Sequence, residues 1–223
     1  MSELRRGFHD GLADVRSRVD AMGAVVVAGI GSATTALLEG DVDLASVVIA
    51  GDSEIDALYP GVESDVFELV ATQSPVGRDL RFLIATLRVA MEIERSGDLV
   101  ASIGKRVATL DPVTLTPAVR LLLSAMGEGA SAMFSAAAAA YATLDGETAR
   151  RLPAEDDAMD DLHRRLLHEL FEASGPVGSV VELGLIARFY ERIADHAVVI
   201  AERVCFVVDG SMNASDSDEQ EWR

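Results

Sequence analysis

At 223 residues the chain is long enough for one large domain or two small ones, and 49% hydrophobic content supports a sizeable core. A net charge of -18 excludes a nucleic-acid groove, which needs clustered Lys and Arg, and disfavours direct docking on anionic lipid. Cations, or basic surfaces on another protein, are the better partners.

Aromatic content is only 5%, and the apolar residues are mostly Ala, Leu and Val, which suits closely packed helices. The single Cys205 lies in the apolar run Val204–Val208, where it reads as a small buried hydrophobe of a reducing cytoplasm. The opening MSELRRGFHDGL has no apolar core and is no signal peptide. Ala21–Leu38 is uncharged and long enough to span a membrane. It nevertheless continues a row at 3/4 spacing that starts outside it, through Phe8, Leu12, Val15, Val19, Met22 and Val26, so a bundle helix is the better reading.

The first helix is expected over Glu3–Glu39, ended by Gly40, with Asp41 capping a second helix from Val42 to about Thr72. Ser74-Pro75 reads as an N-cap followed by a first-turn proline, opening a third helix that runs to about Leu110, where Asp111-Pro112 breaks it. Thr116-Pro117 repeats that signal for a fourth helix ending near Leu144. A fifth helix is expected from Gly146 to Ala173. Ser174-Gly175-Pro176 then turns the chain into a sixth, ending near Val208. The polar tail, residues 211–223, is expected to be disordered. No strand pattern occurs, so the fold class is all-α.

The two halves are copies. Met22-Gly23 recurs as Met126-Gly127, Asp41 as Asp145, and Asp52/Asp56 as Asp156/Asp160, each 104 residues on. Glu94-Arg95-Ser96-Gly97-Asp98 recurs as Glu191-Arg192-Ile193-Ala194-Asp195, 97 residues on. A matched shortening of two antiparallel helices and their turn accounts for the difference. Residues 1–111 then form one three-helix bundle and 112–210 another, with Asp56 level with Glu94 and Asp52 with Asp98 in the first.

Carboxylates at i and i+4 share a helix face. The apolar row Leu83, Leu87, Met91 leads into Glu94 and Asp98, and Val180, Gly184, Ala187 lead into Glu191 and Asp195, so both pairs are expected on buried seams. Four facing carboxylates per half call for a compensating cation. Asp52, Asp56, Glu94 and Asp98, with Asp156, Asp160, Glu191 and Asp195, are therefore candidate ligands for hard or borderline ions such as magnesium, calcium, manganese or iron. Zinc is less natural without thiolate or imidazole. The doublets Asp156-Asp157 and Asp160-Asp161 leave the register of the second set uncertain by one residue. A carboxylate-bridged metalloenzyme would need two Glu-x-x-His motifs, and only Asp160 and His163 approach one, without a counterpart in the first half. No nucleophile elbow or phosphate-cradling glycine loop is present, so no enzyme is expected.

The chain resembles the PhoU family on Met22-Gly23, Gly40-Asp41, Asp52-Ser53-Glu54-Ile55-Asp56, Gln73-Ser74-Pro75-Val76, Asp79-Leu80-Arg81, Glu94-Arg95-Ser96-Gly97-Asp98 and Glu191-Arg192-Ile193-Ala194-Asp195-His196. The resemblance implies two tandem three-helix bundles with multinuclear metal clusters, iron in some members, at the carboxylate pairs. It also implies a cytoplasmic adaptor that restrains phosphate import and holds the phosphate-responsive histidine kinase in its non-signalling state. Its partners would be that kinase and the ATPase of a phosphate transporter, with a homodimer possible. The competing reading is a metal-binding bundle or carboxylate-bridged metalloenzyme unrelated to phosphate control.

Overall fold

The structure, a computed structural model, describes residues 3–110, 115–172 and 176–210. Every regular element among them is an α-helix: α1 (Glu3–Glu39), α2 (Val42–Gln73), α3 (Gly77–Val107), α4 (Pro117–Thr143), α5 (Gly146–Ala149), α6 (Leu152–Glu172) and α7 (Val177–Asp209). The helix starts follow local chemistry. Asp41 accepts a hydrogen bond from the Leu44 amide at 2.9 Å, and Thr116 caps α4 with Pro117 in its first turn. Gly40 (φ 69°) and Gly210 (φ 82°) end α1 and α7 in the left-handed conformation that glycine adopts without strain.

Three boundaries differ from expectation. Ser74 does not cap α3. It ends α2 with φ 47°, its amide bonding the Val70 carbonyl, and α3 begins only at Gly77 after the extended Val76. That third helix also stops at Val107, short of Leu110. The expected fifth helix is two: α5 ends at Ala149, and α6 starts afresh at Leu152. Pro153 has no amide to bond back to Ala149, so a continuous helix cannot cross this point without losing a hydrogen bond. The Arg151 amide turns instead to Thr148 and the Ala154 amide to Arg151. The expected break at Asp111-Pro112, the Ser174-Gly175 turn and the tail lie outside the described residues.

Each repeat is a helical hairpin with a third helix laid along it: α2 and α3 with α1, and α6 and α7 with α4. The expected row on α1 is the core row, with Val15, Val19, Met22 and Val26 buried and Ile30, Ala33 and Leu37 continuing it. The repeats join through α1 on α4 and α3 on α7. Both pairs run antiparallel. Arg81 meets the Val207 carbonyl at one end of the α3/α7 interface, Ser96 meets His196 at its middle, and Arg106 meets Glu182 at the other end. By length and composition, Gly7–Glu39 and Pro117–Thr143 could each cross a membrane, but each has one face buried in this core.

The recurring Met-Gly is where α1 crosses α4. A Cβ on Gly23 would stand 3.5 Å from Ala138, and one on Gly127 would overlap Thr34, the residue that corresponds to Ala138 in the first repeat. Thr34 cannot move aside, because its hydroxyl donates to the Ile30 carbonyl at 2.8 Å and shares a 2.8 Å bond with the Tyr190 hydroxyl. Thr86 and Tyr141 make the matching buried bond from α3 to α4. Gly127→Ala is therefore expected to cost about 2 kcal/mol through overpacking, and Gly23→Ala close to nothing. Urea denaturation of the two variants side by side checks this, and equal effects would refute the asymmetry.

Candidate metal centres

The first carboxylate group is assembled by α2 and α3. Gly97 lets the two helices approach: a Cβ there would lie 2.6 Å from Ile55 Cδ1 and 3.1 Å from Asp52 Oδ1. Asp52 faces Asp98 across the hairpin, and Glu94 feels both Asp98 on its own helix and Asp56 opposite. Burial, followed by these like charges, raises the Asp52 and Glu94 carboxyls above their ordinary range, with Lys105 and Arg95 opposing.

The second group is built likewise by α6 and α7. Burial, then Asp195, Asp160 and Asp157, push Asp156 up to about 6. Glu191 is raised by burial and then Asp195, and Asp195 by burial and Asp160, with Arg188 countering both. Asp156 and Asp160 are thus the doublet members facing α7, whereas Asp161 turns outward to pair with Arg164.

The eight residues come together as two quartets, but not on buried seams. Glu191 is buried, Asp52, Glu94, Asp156 and Asp195 are half-buried, and Asp56, Asp98 and Asp160 are exposed. The pairs line the solvent edge of each hairpin groove, because the core-facing row of α3 runs one step over, through Val89, Ile93, Ser96 and Val100. Among the described residues no three of His, Cys, Asp or Glu already stand in a ligating arrangement. A cation would have to draw the side chains inward. Two observations fit one: Asp156 Oδ1 and Glu191 Oε2 are buried oxygens without a hydrogen-bond partner, and both belong to the second quartet. An apolar cavity of about 350 Å³ beside Asp52 and Gly97 has no cationic group in its lining, so it offers nothing for phosphate itself.

The Asp156 shift has a testable sign. Its folded carboxyl, at about 6, holds a proton to higher pH than an unfolded one near 3.8. The stabilising linkage is present below pH 4 and lost as pH rises through 6. Asp156→Asn should therefore be more stable than the metal-free parent at pH 7.5, and the advantage should shrink as pH falls toward 4. Chemical denaturation across that range measures it, and a pH-independent difference would refute it.

Sequence reasoning missed a buried polar cluster between the repeats. Glu92, 2% exposed, meets Arg88 at 2.8 Å and faces His196 Nε2 at 3.7 Å. Ser96 Oγ donates to the Glu92 carbonyl at 2.7 Å and so accepts from His196 Nδ1–H at 2.9 Å. Burial, then Arg192, Arg95 and Arg88, bring His196 down to about 4, so it is neutral here. Its only sequence signal was an ionisable residue on the core row of α3.

The PhoU domain family model matches residues 19–107 and again 123–204, one match per repeat. The chain belongs to the PhoU family. It is 34% identical over 211 residues to the phosphate-specific transport system accessory protein PhoU homolog 2 of Mycobacterium tuberculosis, covering 93% of this chain and 99% of that one. To homolog 1 of the same species it is 35% identical, with 96% and 98% covered. The crystal structure of PhoU from Pseudomonas aeruginosa superposes with a TM-score of 0.86 at 28% identity, over 92% of this chain and all of that one. PhoU from Streptococcus pneumoniae, at 24% identity and a TM-score of 0.85, shares the fold. The two Mycobacterium tuberculosis relatives are named as accessory proteins, and the expectation of a non-enzyme accords with that.

Proposed function

We propose that this PhoU protein is a cytoplasmic negative regulator of phosphate uptake and of phosphate-starvation signalling. It acts through the ATPase of a phosphate transporter and through the phosphate-sensing histidine kinase. The observation that carries the reading is the near full-length similarity to proteins named as accessory to phosphate-specific transport. The acidic surface supports it, since net negative charge steers association with basic patches on a partner. The quartets are read as cation sites for iron or a divalent ion such as manganese, magnesium, calcium or zinc, at Asp52, Asp56, Glu94 and Asp98 and at Asp156, Asp160, Glu191 and Asp195. Their donor chemistry and the two unpartnered oxygens support this. Bound there, a cation would supply charge compensation. The same reading includes a homodimer, for which the uncharged outer face of α1 over Ala21–Leu38 is the suitable surface.

Deleting the gene tests the regulatory reading. Phosphate-starvation genes should stay expressed in phosphate-rich medium, and phosphate uptake should go unrestrained. A deletion strain, without any second copy, that still represses those genes in rich medium would refute it.

A further inference from the structure

Exposed apolar residues recur in register with the carboxylates. Phe67 lies 11 residues after Asp56 on α2, and Phe171 lies 11 after Asp160 on α6. Ile84 stands 14 residues before Asp98 on α3, and Val181 stands 14 before Asp195 on α7. Eleven residues are close to three helical turns and fourteen close to four, so each apolar residue lies near the face that carries its quartet. The antiparallel pairing sets Phe67 level with Ile84, and Phe171 level with Val181. All four are open to solvent, at 64% and 52% for the first pair and 81% and 54% for the second. Large apolar side chains this exposed, at corresponding positions of two diverged repeats, have no role in the core.

Each hairpin thus presents the same two-part surface, with an apolar pair toward its tip and an acidic quartet about 16 Å along the helices from it. Nearby cations offset only part of that charge: Lys105 and Arg95 in the first repeat, Arg188 and Arg192 in the second. A second copy docking the same surface on itself would bring acidic groups together. We propose that these surfaces are twin docking sites for an amphipathic helix of three to four turns with an apolar face and a Lys/Arg-rich end. Because the sites are related by the antiparallel arrangement of the repeats, the natural ligand is a partner that presents such a helix twice. The inference rests on the partner-binding reading above and takes the quartets free of metal, since a bound cation would compete with the basic end of the helix for the same carboxylates.

The probe is a fluorescein-labelled 18-residue Leu/Lys peptide of amphipathic spacing, titrated against the full chain at moderate salt. A scrambled peptide of identical composition is the control. The expected stoichiometry is two, falling to one in Phe67→Ser and in Phe171→Ser. The double variant should bind at least tenfold more weakly, with its helical content and melting temperature unchanged. Linking two peptides in tandem should tighten binding to the parent but not to either single variant. A stoichiometry of one for the parent, an unaffected double variant, or equal binding of the scrambled peptide would overturn the proposal. If the gene deletion leaves phosphate control intact while the titration succeeds, the regulatory reading fails and the docking sites stand.

Discussion

Glu92→Ala is expected to lower the unfolding free energy by about 2 to 3 kcal/mol, since the buried carboxylate is lost while its arginine partners stay half-exposed and solvated. The carboxylate is 2% exposed and lies at the α3/α7 interface, with Arg88 at 2.8 Å and Arg95 at 4.0 Å. Its Oε1 makes no hydrogen bond of good geometry, so the Arg88 contact is ionic. Removing the side chain opens a cavity beside His196 and takes away the anion that faces Arg88 and Arg95. Glu92→Gln keeps the volume and loses only the charge, so it should cost less than half as much. Guanidinium unfolding would mask charge effects, so urea is the denaturant of choice. A loss below about 1 kcal/mol for the alanine variant would show that the ion pair contributes nothing net, as many exposed pairs do.

The second large effect concerns cations. The parent should gain stability on adding the ion that it binds, by about 2.7 kcal/mol at a free concentration one hundred times the dissociation constant. Replacing Asp56 by Asn with Glu94 by Gln should abolish uptake in the first repeat only, and Asp160→Asn with Glu191→Gln in the second only. Native mass spectrometry counts the ions, and thermal melts read the stabilisation. Without metal, both double variants should be at least as stable as the parent, since each removes mutually repelling charges. Loss of all metal from one double variant would refute independent sites. No stabilisation by any divalent or ferric ion would refute the cation reading.

Much of the architecture was legible because its causes are local. The row on α1, the Asp41 and Thr116 caps and the terminating glycines are short-range features, and each sits where expected. The quartets were legible because the chain repeats: the offsets of 104 and 97 residues that relate the four pairs mark the facing carboxylates without any knowledge of their contacts. Their depth was not legible, since a helix row can face a core or the edge of a groove with the same spacing. The same repeat hid Glu92. Its counterpart 97 residues on is Phe189, so symmetry gave no reason to single it out, and its partner His196 lies on the other repeat. Ser74-Pro75 misled because a cap-and-proline pair can also follow a helix, with the serine in the left-handed conformation that ends it.

The bond between Thr34 and Tyr190 spans 156 residues. With α1 seated against α4 and bonded to α7, the first repeat cannot complete its inner face from its own sequence. During synthesis its three helices leave the ribosome first, yet the face of α1 around Gly23 and Thr34 stays unpaired until α4 has followed, and the Thr34 hydroxyl waits for Tyr190 on the last helix. Productive folding of the first repeat is thus gated by synthesis of the second, and a chain arrested before α4 would expose this apolar crossing to chaperones and to its neighbours.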